Sequence, residues 1–355
     1  PKPFWIKQLP AATDARAVVP CLSCGRMMPS ARLAAGVAGL FASLLVKASA
    51  EYNKRDAEKF WGLSAAAYCG GRKGFNSDLL VSWKCGYACD KVSLVPGSVA
   101  PFGRAGVPSA HGIVGKYAPA EDAKCVVAFK GTGNVGDMLT DLASLVAVEL
   151  DGCAGCKVGR GLRNTYDAIK GDIQQHLRKL GCKSVAVTGH SLGAGQAALA
   201  MFDLQRDFHL EPSYTFGQPV IGNRAFQKAL SSAASSLYRI VNGTDPVPHS
   251  GPADNAEGLY THHQGAEVFF QGKVTDGHVE CAEKDELAGC SYSYFKERTG
   301  LDVKTITTAA GEIARLGPVA ARNVDYHMYY LDEAIAGQDA QKNCIVEELG
   351  GTMYP

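Results

Sequence analysis

An α/β fold built on a mostly parallel central sheet is the class this sequence predicts, and three observations carry it. Short β-branched runs alternate with helical stretches from Lys124 to Val241, the order expected of a sheet with helices on its faces. The stretch Val185 to Leu199, VAVTGHSLGAGQAAL, passes from strand character through a tight Gly-His-Ser-Leu-Gly turn into a small-residue helix. The runs from Ser213 to Phe216 and from Leu237 to Val241 each end in a Gly/Asn/Asp/Pro-rich turn.

The chain of 355 residues has a formal net charge of +1. No basic run or aromatic-interleaved patch stands out, so nucleic acid is not an evident partner. The first fifty residues read as a processing segment. Met28 opens MPSARLAAGVAGLFASLLVKASA, in which Arg32 is a short positive region, Leu33 to Val46 an apolar core and Ala48-Ser49-Ala50 a small-x-small cleavage site. That apolar run falls short of the about 20 residues that a membrane span needs. The expected organisation is residues 1–27 as an upstream extension, 28–50 as a secretory signal peptide and 51–355 as one exported domain, with no transmembrane segment after cleavage. Cys21 and Cys24 lie in the excluded part, with no second pair of zinc-site spacing near them. Without the first fifty residues, which hold six basic groups and one acid, the net charge becomes about −4.

Taken in order, Glu51 to Tyr68 is charged with an apolar stripe at Phe60, Leu63 and Ala67, and predicts a surface helix. Lys124 to Phe129 predicts a buried strand, followed by the turn Lys130-Gly131-Thr132-Gly133. Asn134 to Leu142 spaces Val135, Met138 and Leu139 as a short amphipathic helix. Leu162, Tyr166, Ile169, Ile173, Leu177 and Leu180 recur at three- and four-residue steps, one face of a long helix packed on the sheet. Leu192 to Asp207, rich in alanine and free of proline, continues the Gly-His-Ser-Leu-Gly turn as a helix. Ala266 to Phe270 adds a strand, and Thr305 to Leu316 an extra helix.

Ten cysteines follow residue 50, and an exported chain makes disulfides their default state. Cys85 with Cys89, Cys153 with Cys156 and Cys281 with Cys290 are close enough in sequence to staple local loops, and Cys69 and Cys344 could tie the ends. Cys125 and Cys182, at the heads of central strands, are expected as buried thiols. Spacing alone does not decide the pairing.

The chemistry gathers at Ser191. Placed between Gly189 and Gly193 on a strand-to-helix turn, a serine is held in a strained, exposed position suited to a nucleophile. The helix that starts just after it aims free N–H groups at developing negative charge, the N–H of Leu192 first among them. A serine nucleophile also needs a general base, and the base a carboxylate to fix its tautomer. Asp245 follows the Leu237 to Val241 strand in the turn Asn242-Gly243-Thr244-Asp245-Pro246, where the end of a parallel strand delivers residues to a site. Asp203 and Asp207 ride the helix after Ser191, and Asp254 lies deep in a loop. His249, His262, His263, His278 and His327 all follow Asp245 in the chain.

Four ordered runs, VVAFKGT (Val126 to Thr132), VTGHSLGAGQAAL, YTFGQPVIGN (Tyr214 to Asn223) and IVNGTDPVPH (Ile240 to His249), resemble the blocks of the class three lipase family of fungal triacylglycerol lipases and feruloyl esterases. The AYC, CGYAC and C-terminal histidine segments extend the likeness over most of Glu51 to Cys344. The resemblance implies a single-domain α/β-hydrolase fold and a catalytic set of Ser191, Asp245 and His327, the last in DYHMYY. It implies Thr132 as the oxyanion donor beside Leu192. His190 then belongs to the turn as a packing residue. The helix with Val135, Met138 and Leu139 resembles a lid over the site. Disulfides Cys69–Cys344, Cys85–Cys89 and Cys281–Cys290 are implied, with Cys153–Cys156 a fourth candidate.

The activity implied is acyl-enzyme hydrolysis of a lipid ester at a lipid–water interface, by a monomer that needs no metal or organic cofactor. Feruloyl or other polar esters, and phospholipid or galactolipid acyl groups, are the alternative substrates. A lipid-binding surface protein on a hydrolase scaffold is the non-enzymatic reading. Departures from the family pattern fall at Lys130, where arginine is frequent, at Met138, where tryptophan is, and at Gly159-Arg160-Gly161-Leu162, where a histidine-glycine-aromatic block is usual. The stretch from Ser291 to Asp325 is longer than compact fungal relatives need. The sequon Asn242-Gly243-Thr244 abuts Asp245, too close to the expected site to carry a glycan. Mass spectrometry of the protein recovered from culture medium should find an N-terminus near Glu51; an intact Met28 to Ala50 segment would contradict the cleavage site.

Overall fold

The computed structural model describes residues 52–71, 77–107, 110–132, 146–233, 236–254, 258–260, 263–281, 289–306, 309–337 and 339–344. The lid residues Val135, Met138 and Leu139 lie outside them, as do His262 and the segment before Tyr52.

Eight strands follow one another across the central sheet: β1 (Ala100–Gly103), β2 (His111–Lys116), β3 (Lys124–Phe129), β4 (Ser184–His190), β5 (Ser213–Phe216), β6 (Leu237–Asn242), β7 (Ala266–Phe270) and β8 (Val279–Cys281). The pairs β3–β4, β4–β5, β5–β6 and β6–β7 are parallel, while β1–β2, β2–β3 and β7–β8 are antiparallel. The parallel centre is dry on both faces, as its unbroken apolar runs require: every residue of β4 is buried. Side chains alternate between two cores. Cys125, Val127 and Phe129 join Val185 and Val187 on one face, whereas Val126 and Ala128 join Ala186, Tyr214 and Phe216 on the other.

The first face is covered by α2 (Arg160–Asp167), α3 (Lys170–Lys179), α4 (Leu192–Leu204) and α5 (Arg224–Ala233). The apolar stripe expected of one long helix is carried by two. Ile169 leaves helical geometry (φ −124°, ψ −14°) yet is fully buried, so the break keeps Leu162, Tyr166, Ile173 and Leu177 on one line toward the core. The other face takes α1 (Lys54–Ala67), started by Asn53, whose side chain accepts from the N–H groups of Arg55 and Asp56. This helix is not a surface helix. From Phe60 to Ala67 every residue is buried, because the run FWGLSAAA presents small or apolar groups all round and lies against β3, β4 and β5.

Beyond the sheet, α6 (Ser291–Thr299) and α7 (Ala309–Met328) enclose a small core of their own, made of Phe295, Leu301, Val303, Ile306, Leu316 and Val319. The extra helix starts later than the sequence suggests and does not stop at Leu316. It runs through Pro318, held there by buried Leu316, Val319 and Ala320, and kinks at Asn323 (φ −119°, ψ 17°) before reaching His327. No helix among the described residues is long and apolar enough to cross a membrane.

Five disulfides are formed among the described residues: Cys69–Cys344, Cys85–Cys89, Cys125–Cys182, Cys153–Cys156 and Cys281–Cys290. Cys125 and Cys182 are therefore not the free thiols expected. Parallel pairing of β3 with β4 sets Cys125 opposite Val185, and the Lys183 N–H donates to the Ala123 carbonyl, which brings the two Cα atoms to 5.8 Å. The Cys69–Cys344 link spans 275 residues. On chain-entropy grounds its removal in C69A/C344A should cost on the order of 5 kcal/mol, read as a lower urea midpoint, while C85A/C89A, closing a short loop, should cost less. Equal losses would contradict the loop-length argument.

Candidate active site

Ser191 follows β4 directly and is the residue before α4, with φ +61° and ψ −132°. A non-glycine residue pays for such a conformation in steric strain, so the surroundings must hold it. They do so by close approach. A Cβ on Gly189 would lie 2.4 Å from the Gly193 carbonyl oxygen, and one on Gly193 would lie 2.5 Å from that of Phe129. The Ser191 N–H donates to the Phe216 carbonyl on β5 (2.9 Å), pinning the turn to the neighbouring strand.

The turn after β3 meets the same point. A Cβ on Gly131 would stand 3.0 Å from the Ser191 Cβ, which places Thr132 beside the serine. The Thr132 hydroxyl oxygen is buried with no hydrogen-bond partner among the described residues. Leu192 opens α4, so its N–H has no acceptor within the helix and is free for an external oxygen. These two positions supply donors of the kind that stabilise an oxyanion.

Asp245 and His327, 82 residues apart in the chain, meet where both are buried. Asp245 has no exposure to water and His327 only 1%. The His327 Nδ1–H donates to the carboxylate of Asp245 at 2.9 Å and 3.1 Å. Two further donors hold the same carboxylate, the Tyr330 hydroxyl and the Val247 N–H. Burial alone would raise the Asp245 pKa, but the charge and hydrogen bond of His327, the Tyr330 hydroxyl and the Val247 N–H outweigh it, and the net shift is downward. With Nδ1 engaged, Nε2 of His327 is left buried and without a partner among the described residues. Gly217, at φ +55°, leaves room for the pair: a Cβ there would sit 2.9 Å from both the Asp245 Oδ2 and the His327 Cε1.

Two tyrosines that sequence reasoning did not single out complete the surroundings. Tyr330 stands three residues after His327 in DYHMYY, and Tyr68, the middle residue of the AYC segment, caps the C-terminal end of α1. The His190 Nε2 lies 2.8 Å from the His327 carbonyl, which can only accept, so Nε2 carries the hydrogen. The His190 Nδ1 then accepts from the Tyr68 hydroxyl at 2.7 Å, and the Gly131 N–H donates to that same hydroxyl oxygen. One buried chain of hydrogen bonds thus joins the Thr132 turn, α1, the residue before Ser191 and the backbone of His327.

The other candidates are engaged elsewhere. His249 packs on Phe295, His263 Nε2 lies 2.6 Å from the Pro248 carbonyl, and exposed His278 faces Glu280. Asp203 accepts from Tyr166 and Gln174 on the outer side of α4. The side-chain amide of Asn242, in the sequon, donates to the carbonyls of Tyr326 and Tyr329 and so braces the turn that carries His327. Glu267, Cys281 and Cys290 cluster together, but both thiols are spent in a disulfide.

Burial, and next the charge of His327, hold the His190 pKa well below its ordinary value of 6.5. The unfolded chain therefore takes up a proton near pH 6.5 that the folded chain refuses. Stability from this residue is complete above that pH and falls as pH drops beneath it. Replacing His190 with Asn should flatten the acid limb, lowering the slope of unfolding free energy by up to about 1.4 kcal/mol per pH unit below pH 6.5. Urea melts of parent and H190N between about pH 5 and 8 check it; parallel curves would refute it.

The profile of the family described as Lipase (class 3) matches residues 126–255. A lipase of Rhizomucor miehei is 31% identical over 185 residues, covering 50% of this chain and 50% of that protein. The secreted mono- and diacylglycerol lipase 1 of Fusarium solani is 27% identical over 214 residues, covering 58% and 63%. The chain thus spans about half the length of the fungal lipases it matches first. Among solved structures, a lipase of Rhizopus microsporus var. chinensis superposes with a TM-score of 0.57 at 24% identity over 81% of this chain and 90% of that one. The Rhizomucor miehei triacylglyceride lipase gives 0.54 at 24% over 74% and 94%. At that identity the structural match speaks for the fold, which is the α/β-hydrolase fold, and it is the segment 126–255, with Ser191 and Asp245 inside it, that matches the class 3 lipase family.

Proposed function

We propose that this chain is a secreted carboxylic-ester hydrolase acting on acylglycerols through Ser191, His327 and Asp245. The observation that carries the reading is the state of His327. Its Nδ1 is tied to a fully buried carboxylate while its Nε2, the nitrogen that would take a proton, is left without a partner next to the strained serine turn. In this scheme Nε2 accepts the Ser191 proton as Oγ attacks the ester carbonyl. The oxyanion lies against the Leu192 N–H and the Thr132 backbone and hydroxyl. The alcohol leaves with the proton from His327, and water then repeats the sequence on the acyl-enzyme. Asp245 keeps the imidazole in the required tautomer and stabilises its charged form. Residues 28–50 act as the leader and 51–355 as the catalytic domain. The names of the relatives, fungal lipases and a mono- and diacylglycerol lipase, support a glyceride substrate. The phospholipase A(1) DAD1 of Arabidopsis thaliana, 30% identical over 144 residues, keeps phospholipid acyl groups within the substrate class to be tested.

Ser191→Ala should lower ester turnover by on the order of 10^4 to 10^6 and leave the melting temperature nearly unchanged, with His327→Ala about as damaging and Asp245→Ala somewhat less. Thr132→Val, which keeps the backbone donor, should cost up to about 10^2 to 10^3 in kcat. An ester panel from short to long acyl chains, with methyl ferulate and a phospholipid, assigns the substrate. If Val135, Met138 and Leu139 form an apolar lid, activity on a long-chain ester should rise sharply as substrate passes from monomer to emulsion. Residual turnover near that of the parent in S191A would overturn the reading.

A further inference from the structure

The extra segment of α6 and α7 builds a second concavity, of about 350 Å³, on the outer side of the Asp245 loop. Arg298 of α6 and Arg322 of α7 both line it, together with Tyr294, Tyr326, Asn323 and Thr244. Two arginines from different helices line one small space, and no carboxylate is among its lining residues. Asp325, the nearest acid along α7, opens into a neighbouring cavity with Asn242 and Lys273. Several other surface cations are paired: Lys296 with Asp302, Arg163 with Asp151 and Asp167, Lys342 with Glu333. Arg298 and Arg322 make no ion pair with a described residue. Arg298 is held over the Tyr294 ring at 5.2 Å, which fixes its planar fork without spending its N–H groups.

Two guanidinium forks lining one space, neither in an ion pair with a described residue, match a tetrahedral oxyanion, which can accept paired hydrogen bonds from each and relieves the repulsion between them. A carboxylate offers one planar face and would satisfy only one fork in this way. We propose that this pocket binds a phosphate-type anion, either free or as the phosphodiester of a lipid headgroup.

Its floor connects to the candidate active site. Thr244 precedes Asp245, and its hydroxyl donates to Asn323 Oδ1 at 2.6 Å. Asn323 is the kink of α7, four residues before His327, and Tyr326 is the residue beside it. An anion seated between Arg298 and Arg322 therefore bridges α6 to the turn that carries the candidate base. Both arginines lie outside the segment 126–255 that matches the class 3 lipase family, and the site does not depend on ester hydrolysis.

The test is binding, measured on the Ser191→Ala protein so that turnover plays no part. Inorganic phosphate is titrated by calorimetry. Co-sedimentation is measured with vesicles of phosphatidylcholine alone and of equal parts phosphatidylcholine and phosphatidylglycerol. R298Q/R322Q should weaken one or both by about tenfold or more, as expected when charged hydrogen bonds are lost. R178Q/K179Q, which removes the same charge from exposed α3 at the other end of the sheet, should leave both within about twofold. Loss confined to phosphate identifies a free anion, and loss confined to the phosphatidylglycerol vesicles identifies a headgroup. If R298Q/R322Q matches the parent in both arms, or R178Q/K179Q weakens binding equally, the pocket is not an anion site. Both arginines are exposed, and matched circular-dichroism melts establish that the variants fold.

Discussion

A charge held entirely out of water at Asp245 is the constraint on which much of this molecule turns. An ionised carboxylate in that position is costly unless each oxygen finds donors, and here three come from two parts of the chain: His327 and Tyr330 from the C-terminal segment, and the Val247 N–H from the aspartate's own turn. The end of β6 must reach Tyr330 just beyond α7, and α7 must end where it does. Losing any one donor leaves the others around an under-satisfied ion, so these elements are coupled more tightly than their apolar contacts alone would make them.

The second constraint is the backbone at Ser191. Its positive φ is tolerated because the glycines on either side let β4, α4 and the turn after β3 come within van der Waals reach of one another. The hydrogen bonds of His190 and Tyr68 then run from that turn to the backbone of His327. Ser191, the His327 imidazole and the turn that carries Thr132 are therefore placed by one continuous framework of backbone approach and buried polar contacts.

What the sequence made legible follows from how local each signal is. Lys124 to Phe129, Ser213 to Phe216 and Ala266 to Phe270 were readable as strands to the residue, because dry parallel strands need unbroken apolar runs. Ser191 and Asp245 were readable because each sits at the end of such a strand. The burial of α1 was masked by the charges of its first turns. The break at Ile169 was invisible to periodicity, since one non-helical residue preserved the stripe. The partnership of Cys125 with Cys182 needed the strand order, and the roles of Tyr68 and Tyr330 needed the tertiary approach of segments more than eighty residues from their partners. The extra helix is expected to end at Leu316, yet α7 continues through Pro318, because a buried apolar seat outweighs one lost backbone hydrogen bond.

The link from Cys69 to Cys344 turns the body of this protein into a covalent ring. Ser191, Asp245 and His327 all lie inside that ring, and so do both edges of the sheet. A protease that cuts one peptide bond in any surface loop between the two cysteines opens the ring without releasing a fragment. The piece carrying the imidazole stays tethered to the piece carrying the serine at a fixed distance from Tyr68, the neighbour of Cys69. A protein exposed to hydrolytic surroundings can thus be nicked once and still hold its polar site together, its integrity being a matter of connectivity as well as of folding energy.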